Sequence, residues 1–137
     1  MNIAVRYFTR SGNTQKLAEA IGEAVKTPAL PITEPLPAPV ELLFLGGSVY
    51  AGGIDQALTA FIAGLGPDAV KKAAIFSTAA ILPSAYPQIK KQLEARGIEV
   101  AAEEYHCRGK FSLLHKSRPN AQDLGAAAAF AAKLSAV

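Results

Sequence analysis

Short continuous runs of apolar residues recur along the chain. The clearest runs occupy residues 3–5, 42–45 and 73–77, and a further stretch of strand character begins at Ile98 and ends near Tyr105. Continuous apolar runs of this length are typical of parallel strands that are buried on both faces. They predict the first, third and fourth strands of a parallel sheet, and residues 98–105 predict the fifth.

Between these runs, apolar residues recur at helical spacing. The spacing predicts helices over residues 14–26, 55–64 and 84–96, and a last helix that Asn120 caps. The inner face of the last helix is formed by Leu124, Ala127, Ala131 and Leu134. Because strand and helix alternate along the chain, we expect one α/β domain over residues 1–137, with a doubly wound five-stranded parallel sheet of order 2-1-3-4-5.

Residues 28–40 interrupt this alternation because they contain five prolines. Proline removes a backbone donor and breaks regular helices. We therefore expect a short edge strand near residues 29–32 and a second helix that is reduced to a turn. The sheet face that this helix would cover is expected to stay partly uncovered. An alternative is that this face forms a dimer contact, so the chain is expected to be a monomer or a weak dimer.

Composition narrows the classes of function. Half of the 137 residues are hydrophobic, which predicts a globular fold. No apolar run reaches the ~18 residues of a membrane span, and no signal-like core follows the N-terminus, so we expect a cytoplasmic protein. One cysteine and two histidines form no metal-binding motif. The net charge is +3, but no basic helix stripe or aromatic platform indicates nucleic-acid binding.

Polar side chains are concentrated between the first strand and the first helix. The stretch consists of Thr9, Arg10, Ser11, Gly12, Asn13 and Thr14. A helix N-terminus presents unpaired N–H groups and the positive end of a dipole. Hydroxyl and amide donors around a glycine at such a terminus indicate a phosphate-binding loop. An ordinary helix cap is the alternative, and Arg10 has two equal interpretations, contact with the phosphate or exposure to solvent.

This loop resembles the FMN-phosphate loop of the flavodoxins, T-x-S/T-G-x-T, and the resemblance extends over essentially the whole chain. It implies a flavodoxin-like fold, FMN as the cofactor and electron transfer between redox partners. Two alternatives stay open: an FMN-dependent NAD(P)H oxidoreductase with a quinone or similar acceptor, and an interaction module without flavin. The reduced second helix and the basic charge depart from the usual pattern of the family.

The resemblance also implies two walls for the flavin ring. The first wall comprises Ser48, Val49, Tyr50, Ala51, Gly52 and Gly53, and the second begins with Thr78, Ala79 and Ala80 and ends at Pro83. Tyr50 is the candidate that stacks on the ring, and the two glycines are expected to let a peptide flip toward it. A plain glycine turn is the alternative for the first wall. Tyr86 is a second aromatic candidate, with a surface tyrosine as the alternative.

Four cations follow the fifth strand, and no acidic residue lies among them. They are Arg108, Lys110, Lys116 and Arg118. This stretch is expected to face the same rim of the sheet as the flavin site, where it would attract an acidic redox partner. A solvated basic loop is the alternative. Cys107, in the same stretch, is expected to be a buried small residue and not a redox thiol.

Overall fold

A computed structural model describes residues 1–37, 39–50, 53–79, 84–109 and 118–136, with Tyr50 described by its backbone alone. Strands and helices alternate through these residues. In chain order they are β1 Ile3–Tyr7, α1 Asn13–Val25, β2 Ala29–Pro31, β3 Val40–Tyr50, β4 Gly53–Ile54, α2 Gln56–Ala63, β5 Val70–Ala79, α3 Tyr86–Ala95, β6 Glu99–Val100, β7 Tyr105–Arg108 and α4 Ala121–Ser135.

The strands form one sheet in the order β2-β1-β3-β5-β6, and all of these neighbours are parallel. β7 also pairs with β5 in parallel, beyond the point where β6 ends. The short strand β4 turns back and pairs antiparallel with the end of β3. Since β5 is the predicted fourth strand and β6 with β7 the fifth, the predicted order 2-1-3-4-5 is confirmed.

The fifth strand contains an interruption. Val100 pairs with Ala73, and Tyr105 pairs with Phe76, so five steps on this strand match three steps on β5. The two extra residues form a bulge, and the pairing then continues to Arg108. The prediction that the strand ends near Tyr105 is therefore wrong, because residues 106–108 lie in the sheet and not in a loop beyond it.

Helices cover both faces of the sheet. On one face, Leu17 and Ile21 of α1 and Ala127 of α4 pack in one cluster with Phe44 and Phe76. On the other face, the buried leucines and isoleucines of α2 and α3 pack against β3 and β5; they are Leu58, Ile62, Ile89 and Leu93. Among the described residues, no helix is long and apolar enough to cross a bilayer.

The proline-rich stretch forms no helix in its described part, as predicted. β2 ends at Pro31, and turns follow. Ile32 and Leu36 pack against the α2–α3 core, so this side of the sheet is covered by an irregular segment. The expected uncovered face is not found, since Met1 is the only large hydrophobic residue with an exposed side chain in the described ranges.

Arg6 anchors this segment to β1. Its side chain is only 4% exposed and donates three hydrogen bonds to backbone carbonyls. Nε reaches Glu34 O at 3.1 Å, Nη2 reaches Pro35 O at 2.7 Å, and Nη1 reaches Val5 O at 3.0 Å. Burial lowers the pKa of Arg6, and the nearby Glu34 carboxylate opposes that effect. In a helix, backbone N–H groups would donate to the carbonyls of this segment. Here the Arg6 guanidinium donates to them instead.

Candidate functional site

The predicted phosphate loop and the predicted first ring wall lie beside each other at one edge of the sheet. The loop follows β1, and the wall begins in the last residues of β3, which is the direct neighbour of β1. From β1 the chain crosses to β2 on one side, whereas from β3 it crosses to β5 on the other. This change of direction is the topological switch point, where open α/β sheets bind their ligands at the carboxyl ends of the strands.

Helix α1 begins at this edge without a side-chain cap. Its N-cap is Gly12, whose φ of 89° is in the left-handed region that favours glycine. The hydroxyl of Thr9 accepts the Gly12 N–H at 2.9 Å and closes the loop on itself. A Cβ built on Gly12 would meet nothing within 4 Å. By contrast, α2 and α4 are capped by the side chains of Asp55 and Asn120. The start of α1 thus offers open space beside backbone donors.

Three buried hydroxyls join the loop to the sheet. The Oγ1 atom of Thr14 lies 2.8 Å from Ser48 Oγ and 2.9 Å from Thr78 Oγ1, and the last two are 3.0 Å apart. All three residues are at most 9% exposed. We call this arrangement the hydroxyl triangle. It brings together residues that the sequence assigned to three separate stretches, and it turns the Thr14 hydroxyl toward the sheet.

The side chain of Arg10 is 58% exposed, in agreement with one of its two interpretations, and it also has a partner in the protein. Its guanidinium forms an ion pair with Asp55, with Nε 2.9 Å from Oδ2. Asp55 also accepts the Ala57 N–H at 2.8 Å through its other oxygen. The Ala57 N–H and the Arg10 guanidinium hold the pKa of Asp55 below its ordinary value. The ion pair connects the loop after β1 to the cap of α2. Ser11, the next residue of the loop after Arg10, is exposed.

Asn13 and Gly109 lie close together at the same edge of the sheet. Asn13 is 7% exposed, and Gly109 passes so close that a Cβ there would lie 2.8 Å from Asn13 Nδ2. The Gly109 N–H donates to Ala79 O at 3.2 Å, which extends the pairing of β7 with β5. Sequence reasoning missed Gly109. The available signal was a glycine close behind a strand at the ligand-binding edge.

The described residues of the predicted ring walls lie in strands, and two of their side chains are buried in the core. The backbones of Val49 and Tyr50 belong to β3 and pair with Ile54 and Gly53. The side chains of Val49 and Ala79 are buried in the α2–α3 core and contribute packing there. Thr78 and Ala79 lie within β5, not in a loop after it. The other predicted wall residues fall outside the described residues; they are Ala51, Gly52 and 80–83.

Tyr86 is half-buried, and both its hydroxyl and its ring contact other parts of the protein. Its hydroxyl donates to Ala101 O at 3.0 Å, and its ring packs against the α2–α3 core. Lys90 lies over the outer ring face at 5.6 Å from the centroid. These contacts give Tyr86 a structural role between α3 and the start of the bulge.

The predicted basic stretch is less basic than its sequence suggests. Arg118 forms two hydrogen bonds with Asp123 of α4, Nε to Oδ2 at 2.6 Å and Nη2 to Oδ1 at 2.7 Å. No acidic residue lies within the stretch, but Asp123 beyond it pairs with the charge of Arg118 at the start of α4. Arg108 ends β7, while Lys110 and Lys116 fall outside the described residues.

Cys107 is buried, as the sequence predicted, and should react slowly. It is 7% exposed, and burial raises the pKa of its thiol to about 11 from an ordinary value near 9. The thiolate is the reactive form, so alkylation by iodoacetamide at pH 8 should be about a hundredfold slower than for a cysteine in a short peptide. Urea-unfolded protein, as the control, should react at the peptide rate. Equal rates for folded and unfolded protein would contradict this expectation.

Comparison with solved structures places the fold. A flavodoxin from the domain Archaea superposes with a TM-score of 0.80 at 19% identity, over 98% of this chain and 96% of that one. Flavodoxin 2 from Bacillus cereus gives 0.72 at 19% identity, over 96% and 95%. Rubredoxin oxygen:oxidoreductase from Desulfovibrio gigas gives 0.70 at 15% identity, over 98% of this chain and 37% of that one. No family model and no curated protein matches the sequence. The predicted flavodoxin-like fold is confirmed.

Proposed function

We propose that this chain, which has a flavodoxin-like fold, binds FMN and carries electrons between redox partners. The main support for FMN binding is that the N-terminus of α1 lies at the topological switch point without a side-chain cap and with open space beside Gly12. The flavodoxins among its structural neighbours support the same function at the level of the fold. FMN would supply the redox chemistry, and the protein would bind, orient and shield it.

The residues at the loop fit a phosphate group. The Thr9 hydroxyl accepts the Gly12 N–H and closes the loop directly before the first turn of α1. The hydroxyl triangle fixes Thr14 against β3 and β5 and thereby sets the position of that turn. Neutral hydroxyl and N–H donors at a helix N-terminus suit a dianion, because the helix dipole adds a favourable field. We assign phosphate binding to the stretch from Thr9 to Thr14.

The flavin ring would lie over the β3–β4 hairpin. The backbone of Tyr50 ends β3 at the carboxyl edge of the sheet. Ser48 and Thr78 would support the phosphate side of the flavin through the hydroxyl triangle. Among the described elements, every strand and helix belongs to this one sheet or covers it, and none forms a second nucleotide-binding layer. The flavodoxins among the structural neighbours favour a carrier over the NAD(P)H oxidoreductase alternative.

The decisive experiment compares FMN with riboflavin, which lacks the phosphate. Gly12→Ala should weaken FMN binding at least tenfold and leave riboflavin binding nearly unchanged. The added Cβ strains a backbone at φ 89° and projects into the open space at the loop. Fluorescence titration of the flavin-free protein measures both affinities. Gly66→Ala is the matched control, because its Cβ also meets open space and its φ lies outside the left-handed region.

Equal losses for FMN and riboflavin in Gly12→Ala would refute the phosphate assignment. A wild-type protein that binds neither flavin would refute the cofactor and favour the interaction module. Steady-state NAD(P)H oxidation by the FMN-loaded protein separates the remaining pair, since rapid turnover with a quinone would contradict the carrier role.

A further inference from the structure

Gln88 of α3 contacts the β3–β4 hairpin from outside the sheet. Its Oε1 atom accepts the Ile54 N–H at 3.0 Å. The plane of its amide lies against Gly53, where a Cβ would be 3.1 Å from both Nε2 and Oε1. Gly53 has a φ of 102°, so two independent constraints favour glycine there. One side chain thus holds both residues of β4.

The position of Gln88 is itself fixed by the sheet. Ser77, fully buried in β5, accepts the Ala85 N–H through its hydroxyl at 3.3 Å. Ser84 accepts the Tyr86 N–H at 3.0 Å. Ile89, the next residue after Gln88, is fully buried against β3 and β5. The first turn of α3 is therefore rigidly attached to β5, and Gln88 extends from that turn to the hairpin.

The hairpin has little pairing of its own. Among the described residues, two cross-strand pairs join β3 and β4, Val49 with Ile54 and Tyr50 with Gly53. Two-stranded hairpins are marginal without further packing. The hydrogen bond from Ile54 to Gln88 therefore fixes the direction in which the hairpin leaves the sheet.

We propose that Gln88 is a positioning residue for the flavin ring. The inference rests on the proposed function, because it assumes that the hairpin bearing Tyr50 is the wall on which the ring lies. Gln88 acts through Ile54 and Gly53 of β4. It affects recognition of the ring, which FMN and riboflavin share, and leaves recognition of the phosphate unchanged.

Amide hydrogen exchange in the flavin-free protein tests the hairpin contact directly. Gln88→Leu removes the acceptor, so the Ile54 amide should exchange about fivefold faster or more, as expected for one lost hydrogen bond. Gln88→Glu keeps an acceptor at the same reach and should restore protection. Gln92→Leu is the matched control one turn along α3, because Gln92 Oε1 has no hydrogen-bond partner among the described residues.

Flavin titration tests the consequence for the ring. Gln88→Leu should weaken FMN and riboflavin by the same factor, about fivefold or more, and shift the visible absorption of the bound flavin. Gly12→Ala should affect FMN alone. Unchanged Ile54 exchange, or unchanged binding of both flavins by Gln88→Leu, would overturn this proposal and leave the proposed function standing. A wild-type protein that binds no flavin would refute the proposed function first, and the ring-positioning role with it.

Discussion

Replacement of Arg6 by methionine should lower the free energy of unfolding by about 1.5–3 kcal/mol, the range for hydrogen bonds that involve a charged group. The guanidinium is 4% exposed and bonds three carbonyls, at Val5, Glu34 and Pro35. Methionine fills much of the volume but leaves these acceptors without their donors, and unsatisfied buried groups carry most of the cost. Urea denaturation monitored by circular dichroism measures the change.

The control for this experiment is Arg96→Met. Arg96 is exposed and donates through Nε to a single carbonyl, Leu65 O at 2.9 Å, so its loss should be about 0.5–1.5 kcal/mol. Arg6→Lys should fall between the two, since an ammonium keeps the charge but cannot match the planar geometry of three acceptors. If Arg6→Met and Arg96→Met cost the same, Arg6 does not anchor the proline-rich segment.

Asp123→Ala should destabilise the protein by about 3 kcal/mol. The carboxylate accepts from Arg118 twice and from the Asn120 N–H at 2.8 Å, and Asn120 Oδ1 in turn accepts the Asp123 N–H at 3.0 Å. Loss of a capping interaction costs about 1 kcal/mol, and hydrogen bonds to a charged partner add about 1.5–3. Asn120→Ala removes the cap alone and should cost about 1 kcal/mol in the same measurement.

The pH dependence of stability provides an independent check on Asp123. Burial acts to raise its pKa, but the Arg118 hydrogen bonds, the Asn120 N–H and the charge of Arg118 together hold the pKa below its ordinary 3.8. A lowered folded-state pKa contributes stability above the unfolded-state value that is lost as pH falls through the folded-state value. As the pH falls below 4, the free energy of unfolding should therefore decrease less for Asp123→Ala than for the wild type. Parallel acid curves would contradict this.

The fold could be predicted because its signals are local. Continuous apolar runs identified the central strands, and Asn120 marked the start of α4 by its capping chemistry. The prolines correctly excluded a second helix. These features depend on neighbours in sequence, which a linear pattern shows directly.

The contacts that sequence reasoning missed join residues far apart in the chain. In the sequence, Arg6 is a polar residue within an apolar strand. Its acceptors, the carbonyls of Glu34 and Pro35, come next to it only in the folded chain. Arg10 meets Asp55 across two loops, and Arg118 meets a carboxylate that belongs to the next helix. Counting the charges within a loop therefore overestimated its positive electrostatic field, because the opposing carboxylates belong to other elements.

The bulge in the fifth strand restricts which insertions and deletions the chain tolerates. Side chains alternate between the two faces of a strand, so the number of residues between β6 and β7 decides which face the later residues meet. Because the bulge adds two residues, Tyr105 and Cys107 remain on the α1–α4 side, in the cluster that contains Phe76. Length changes by even numbers preserve that facing. A change of one residue between Val100 and Tyr105 would turn Tyr105 and Cys107 toward α3 and would bring His106 into the core instead.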